Sequence, residues 1–259
     1  MSRARSYRAQ AVVLRRSDFG EADRILTLFT LEEGKLRAIA KGVRRTVSRS
    51  GGHLELFTHS ELLLAHGRDL DVVAQAETQR AFRAVREDLL RTAHAYEFAE
   101  IVDALTAERQ PNARLFHALL AAFAALEQAA DPRLVLLHFL VVALDAAGFR
   151  PQLGECVVCR RPLQPEVNWF DRALGGAICP TCAPSVSGAR PIPLNVLKLA
   201  RLLQRSEPVG SVTLRVPADV GRELERLLRE YLEAILERQL RTPAFVARVR
   251  EIAAASQAG

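Results

Sequence analysis

At 259 residues, 49% of them hydrophobic, the chain has material for a sizeable core and length for one large domain or two or three small ones. The formal net charge is +6, and the cations concentrate in the N-terminal third, which points to an anionic partner. The N-terminal stretch carries only the short apolar run Ala11 to Leu14, and Leu134 to Leu144, broken by His138, is far below the roughly 18 residues of a membrane span, so a soluble, cytoplasmic protein is expected.

Residues 6–80 read as β structure. Arg8 to Leu14 is rich in apolar and β-branched residues, Arg24 to Leu31 follows, and Glu32-Glu33-Gly34 signals a turn. Lys35 to Ala40 alternates with period two, the pattern of a half-buried strand. Leu54 to Leu56 resumes the alternation, and Glu61 to Ala65 and Leu70 to Glu77 flank the turn His66 to Asp69. Five or six short strands in about 75 residues suit a small closed barrel of the OB type, giving a first domain over 1–80.

From residue 81 the period becomes helical. Val85, Leu89, Ala93, Tyr96 and Leu105 make one apolar face, and Pro111 and Asn112 break it. Leu115, Phe116, Leu119, Leu120, Phe123 and Leu126 make the next face. Asp131-Pro132 is a helix start signal, and the helix behind it is apolar nearly all round, as a central core helix is. Helical pattern resumes at Leu194 to Gln204, and again over Leu224 to Leu240. Thr242-Pro243 starts a terminal helix. The expected architecture is α+β: an N-terminal OB-fold barrel over 1–80, then a helical domain over 81–259.

All four cysteines lie in one window within that helical half. Cys156 and Cys159, and Cys179 and Cys182, form two C-x2-C turns separated by 19 residues. This is the spacing of a tetrahedral zinc site with four thiolate ligands. Val167 to Phe170 can pair with Ala177-Ile178 as a hairpin across Gly175-Gly176, in an insert over about 153–185. Two thiol or disulfide pairs without metal are the alternative. Two paired motifs at this spacing favour one structural Zn2+, because a closed thiolate set leaves no position for water.

The cations have a definite place. Lys35, Arg37, Lys41, Arg44, Arg45 and Arg49 fall within 16 residues that contain no acid, on the third strand and the loop after it. Lys35 and Arg37 share a strand face, with Leu36 on the other. Such a cluster can track a phosphate backbone, and a solvated loop is the simpler alternative. Aromatic platforms are few: Tyr7, Phe19, Phe29 and Phe57 are the candidates, and most of them should be core. The stretch Pro217 to Glu251, with seven Arg against seven acids, is an ordinary helix surface. No P-loop, G-x-S-x-G or H-E-x-x-H motif is present, and the six histidines are scattered. Asp18, Glu21 and Asp23 read as an acid-rich turn. No enzyme activity is expected.

Several separate runs carry a family resemblance. Ala11-Val12-Val13-Leu14, Gly20-Glu21-Ala22-Asp23-Arg24-Ile25, Gly34-Lys35-Leu36 and Ala40-Lys41-Gly42-Val43-Arg44-Arg45 resemble the start of RecO, a family of bacterial recombination mediators in DNA repair. His53-Leu54-Glu55-Leu56-Phe57, Gly148-Phe149-Arg150-Pro151 and Arg241-Thr242-Pro243-Ala244-Phe245 continue it. The resemblance implies an OB-fold, a helical domain and, in many members, a zinc insert. It also implies binding of single- and double-stranded DNA without sequence preference, and annealing of complementary strands. Implied partners are RecR, single-stranded DNA-binding protein through its acidic tail, and RecA indirectly, at the nucleoid. By position, Lys35, Arg37, Lys41, Arg44 and Arg45 would contact phosphates.

Overall fold

A computed structural model describes residues 6–45 and 51–257. The alternating segments become β1 (Ser6–Phe19), β2 (Asp23–Thr30), β3 (Gly34–Ala40), β4 (His59–Ala65) and β5 (Asp71–Arg80). They hydrogen-bond in the order β1-β2-β3-β5-β4, and β1 closes the ring by pairing with β4. The β3–β5 pairing is parallel and the others antiparallel. This is the expected OB-like barrel. Its interior is lined by alternate residues of each strand, among them Ala9, Ala11 and Val13, Leu26 and Leu28, Leu36 and Ala38, and Leu62 and Leu64.

At 14 residues, β1 must bend around this small ring. A register shift between Val13 and Arg15 inserts one residue, so that Arg15 lies opposite Thr27, which in turn lies opposite Arg37 on β3. The alternation at Leu54 to Leu56 is not a sixth strand. Gly51–Leu54 is a 3-10 turn, and Phe57 follows with φ 64°. Leu54 is fully buried in the barrel core and Leu56 packs against it. Burial of alternate residues in a turn imitates a strand signal.

Two compact units emerge. One contains residues up to Glu127 together with the segment from Thr242, and the other spans Gln128–Arg241. The first unit extends past the barrel because part of the barrel's outer wall is apolar. Val12, Leu14, Phe29 and Phe57 are fully buried outside the barrel core. They are covered by α2 (Leu89–Leu105) and α3 (Ala113–Gln128), which follow the short α1 (Arg83–Glu87). Phe29 meets Phe116 at 5.9 Å between ring centroids, and Phe57 meets Phe123 at 5.5 Å. Leu89 is exposed, although its sequence spacing grouped it with the apolar face. Asp88 adopts an extended conformation and caps a new helix through the Arg91 amide, which resets the phase. The last helix, α7 (Thr242–Gln257), returns to α2, where Val246 and Val249 bury against Ala93. Its start is held by Glu100, which accepts from the Thr242 amide at 2.8 Å and from its hydroxyl at 2.6 Å.

In the second unit, α4 (Pro132–Ala146) is buried without interruption from Leu134 to Leu144, between α5 (Leu194–Arg205) and α6 (Ala218–Leu236). His138, the one polar residue of that run, donates from Nε2 to the Ser206 carbonyl at 2.7 Å and accepts the Gly210 amide on Nδ1 at 3.2 Å. Burial lowers its pKa, so it works as a neutral pin for the 206–210 loop. Leu240 lies beyond the end of α6, which stops where Glu237 takes φ 52°. Among the described residues, no helix is long and apolar enough to cross a membrane.

Candidate nucleic-acid interface and metal centre

The basic turn is built by the acids that precede it. Gly42, at φ +64°, donates its amide to Asp23 Oδ1 at 2.7 Å, and the Arg44 amide reaches the Ala22 carbonyl at 2.9 Å. The β1–β2 hairpin and the exit of β3 are thereby fixed to each other. Asp18 lies 3.1 Å from Arg24 and 3.4 Å from Arg44. The acid-rich segment therefore has a role beyond forming a turn. It holds the segment Lys41 to Arg45 in one conformation.

Of the expected cations, Arg37, Lys41 and Arg45 are exposed, and none of their side chains enters an ion pair among the described residues. Arg44 is exposed but shares its charge with Asp18 and the Gly20 carbonyl. Arg49 lies outside the described residues. Lys35 departs from the expectation. It does share the outer face with Arg37, but its ammonium sits 3.0 Å from Asp103 Oδ1 and 2.6 Å from the Asp103 carbonyl, with the side chain only 14% exposed. Arg15 joins the same carboxylate at 3.0 Å. The end of α2 and the loop behind it cover this part of β3, and the Arg109 amide donates to the Lys35 carbonyl at 2.8 Å. Gly34 marks how close that approach is, since a Cβ there would stand 2.1 Å from the Gln110 carbonyl oxygen.

Phe19 was one of four aromatic candidates in the sequence, and the structure separates it from the others. Phe29 and Phe57 are buried, and Tyr7 is hydrogen-bonded, but Phe19 is 52% exposed at the hairpin tip beside Gly20. Position in the hairpin, which composition does not encode, distinguishes an exposed ring from a core one.

A second polar cluster joins the barrel to the α2–α3 loop. Asp71, nearly fully buried, accepts from the Tyr7 hydroxyl and from Arg109 Nη2 at 2.7 Å, and Tyr7 stacks on His66 at 4.7 Å. Burial alone would raise the Asp71 pKa, but the Tyr7, Arg109 and Gly67 donors hold it below the usual carboxylate value. Tyr7 is pushed up to about 12, largely by burial and by Asp71, and stays a donor. The groups satisfy one another and leave no free base or nucleophile. Because the folded pKa of Asp71 lies below the unfolded one, its stabilisation is complete above the unfolded value near ~4 and is lost as pH falls through the folded value. Asp71→Asn is expected to cost about 2 kcal/mol at pH 7, discounted for the solvent exposure of Arg109, and the difference from wild type should shrink towards about pH 3 in urea titrations.

The four cysteines converge in the second unit, where β6 (Asn168–Asp171), β7 (Gly176–Ile178) and β8 (Arg190–Ile192) form a small sheet in the order β7-β6-β8. The expected hairpin is present, with Trp169 opposite Ile178 and Phe170 opposite Ala177. β8 had no sequence signal, because three residues with a central proline show no alternation. Asp171 Oδ1 accepts the amides of Ala173 and Leu174, which turns the hairpin. Each C-x2-C turn closes on itself. The Arg160 amide bonds the Cys156 carbonyl at 2.9 Å and the Cys182 amide bonds the Cys179 carbonyl at 3.1 Å.

The four sulfur atoms lie within 4.8 Å of one another, and Cys159 and Cys179 Sγ are 3.8 Å apart. No disulfide joins them. A tetrahedron with metal–sulfur bonds near 2.3 Å has edges of about 3.8 Å, so the donor set suits a four-coordinate thiolate centre. Arg161 Nε lies 3.5 Å from Cys159 Sγ and draws that thiol down to about 6, whereas Cys182 is pushed up to about 12 by its bonds to the other thiols. Four thiols this close cannot all ionise without a cation among them, and the cluster can hold a metal ion.

Comparison with known proteins agrees along nearly the whole chain. A family model described as "Recombination protein O N terminal" matches residues 1–82, and one described as "Recombination protein O C terminal" matches 86–244. The chain is 44% identical over 250 residues to DNA repair protein RecO of Roseiflexus sp. (strain RS-1), covering 96% of this chain and 88% of that one. It is 40% identical over 250 residues to DNA repair protein RecO of Nocardioides sp., covering 93% and 99%. With DNA repair protein RecO of Dehalococcoides mccartyi (strain BAV1) it shares 32% over 239 residues, 92% and 94% of the two chains. The chain therefore belongs to the RecO family of DNA repair proteins.

Proposed function

We propose that the chain is a non-catalytic recombination mediator that binds single- and double-stranded DNA without sequence preference and anneals complementary strands. The observation that carries this reading is the set of exposed cations Arg37, Lys41 and Arg45, with Arg44 beside them, on β3 and a hydrogen-bonded turn. From Arg37 to the end of β3 at Ala40 the strand runs about 10 Å, long enough with the following turn to meet more than one phosphate. Phosphate contacts carry no sequence information, and Phe19 adds a stacking surface that accepts any base. Neutralising two strands on cationic surfaces lowers their mutual repulsion and lets complementary bases pair. Lys35 belongs to the support of this face, through Asp103.

The metal in this reading is one zinc ion held by Cys156, Cys159, Cys179 and Cys182. Bound zinc would supply a cross-link between the two C-x2-C turns and no open coordination position. Arg161 offsets the negative charge of the thiolates. The partners are RecR, the acidic tail of single-stranded DNA-binding protein and, indirectly, RecA.

Annealing of complementary strands coated with single-stranded DNA-binding protein, with and without this chain, tests the proposal. Acceleration is expected, and pairing at the uncatalysed rate would overturn it.

A further inference from the structure

Two of the three arginines of α6 are balanced within their own helix. Arg226 pairs with Glu223 at 2.6 Å and Glu230 at 3.0 Å, and Arg229 pairs with Glu225 at 2.8 Å. Helix α5 has no such balance. It carries Lys198, Arg201 and Arg205 and contains no acid. Arg201 and Arg205 stand one turn apart, an arrangement of like charges that weakens a helix. The pKa of Arg201 is lowered first by burial and then by Arg205. A cation at a helix C-terminus offsets the helix dipole, which accounts for Arg205 but not for Lys198 or Arg201.

The segment before the first cysteine adds to this charge. Arg201 Nε donates to the Leu153 carbonyl at 2.8 Å, and Gln204 Nε2 donates to the Pro151 carbonyl at 2.8 Å. These two bonds fix the 150–154 loop against α5 and bring Arg150 to the other side of a cleft of about 220 Å³. The cleft is lined by Arg150, Arg201, Arg205, Gln152 and Gln204, with Pro151 and Gly154, and by no carboxylate. Arg150 has one anionic neighbour, Asp145 at 2.9 Å, outside the lining. Three guanidinium groups thus converge on a polar cleft at a cost to the helix that holds two of them.

We infer that this cleft, continued along α5 by Lys198, is a second binding surface for a nucleic-acid backbone, separate from the barrel face. Its walls are guanidinium and amide groups, which suit phosphodiester oxygens. An acidic peptide would bring apolar side chains as well, and the lining offers them only Pro151. The inference rests on the annealing reading above. Two strands must be held before they pair, and this surface supplies contacts for the second one.

The test uses the full chain with Arg150→Gln, Lys198→Glu and Arg205→Glu combined, glutamine at 150 avoiding a carboxylate set against Asp145. Arg201 is kept because its Nε holds the loop. Unchanged metal content and melting temperature establish that the variant is folded. Three readouts follow: affinity for one labelled oligothymidine, capture of a second, non-complementary labelled strand by the preformed complex, and the rate of annealing. The expected result is a change of less than about threefold in the first and a loss of at least about tenfold in the second, with annealing slowed accordingly. Second-strand capture equal to wild type overturns the inference. So does loss of binding to a labelled hexa-aspartate peptide with capture intact, which would assign the cleft to an acidic protein partner. Failure of the wild-type chain to bind or anneal DNA at all would instead defeat the function proposed above.

Discussion

Replacing Arg37, Lys41 and Arg45 together with Glu is expected to lower single-stranded DNA affinity by at least about 50-fold near physiological salt. Each phosphate contact on a single strand contributes roughly 0.7 to the slope of log affinity against log salt, so three contacts account for a slope of about 2. Extrapolated from about 1 M salt, where the ionic contribution vanishes, to about 0.15 M, that slope amounts to roughly 1.7 decades. Charge reversal adds repulsion to the loss. Fluorescence anisotropy titrations between about 50 and 300 mM salt measure the slope directly, and a variant with the wild-type slope would rule out this face as the phosphate contact. Arg37, Lys41 and Arg45 suit the experiment because they are exposed, and none of their side chains enters an ion pair among the described residues. Lys35 and Arg44 do not suit it. Reversing Lys35 would set a carboxylate against Asp103, and reversing Arg44 would do the same at Asp18, so a loss of binding would mix two causes. A control at Lys35 should instead register in stability.

Loss of the proposed zinc should have the larger effect on the fold. Structural zinc in finger peptides binds with about 10–16 kcal/mol, and that energy is folding energy where the apo site does not hold itself together. Here the sheet built from the segment between the C-x2-C turns and from β8 after them has strands of four, three and three residues, too small to stand alone. It is also anchored to α6. Phe170 packs edge-on against Tyr231 at 5.6 Å, and Gly175 lies so close that a Cβ would meet the Tyr231 hydroxyl at 2.8 Å. Part of the sheet is therefore held without metal, and the loss should fall short of the peptide value. Cys156→Ser is chosen because Cys156 is fully buried, whereas the other three cysteines are partly exposed. The expected result is one zinc per chain in the wild type and substoichiometric metal in the variant. A fall of about 10 °C or more in melting temperature should follow, corresponding to at least about 2 kcal/mol. Oligonucleotide affinity measured below the new melting point should change little, because the barrel face lies in the other compact unit. A variant that keeps both its metal and its melting temperature would disprove the four-thiolate site.

The two sites were legible to different degrees. The clustering of the cysteine pairs was legible through spacing alone, because a C-x2-C turn aims both sulfurs at one point whatever surrounds it. Alternation found the barrel strands, because each has one face towards an apolar interior. It misread Leu54 to Leu56, where a turn buries alternate residues against the same core. The run of cations was visible as composition, but composition does not tell a cation facing solvent from one facing a carboxylate 68 residues later. Lys35 and Arg37 are two residues apart on the same strand face, and only the second is free of α2. Asp23, which orders the basic turn by accepting the Gly42 amide, looked like one more acid in a loop.

What the sequence determined by itself was local: the period of each element, its start and stop signals, the paired cysteine turns and the position of unbalanced charge. These depend on residues a few positions apart, where backbone geometry sets the distances. What the tertiary structure decided was which of these residues remain available. Burial of the barrel's outer wall under α2 and α3 joined those helices to the barrel and drew Lys35 onto Asp103. The hairpin left Phe19 at its tip, and the bonds from Arg201 and Gln204 set three arginines around one cleft. Apart from the hairpin tip, whose strand partner is four residues away, these outcomes depend on partners tens of residues away, and short-range spacing carries no information about them.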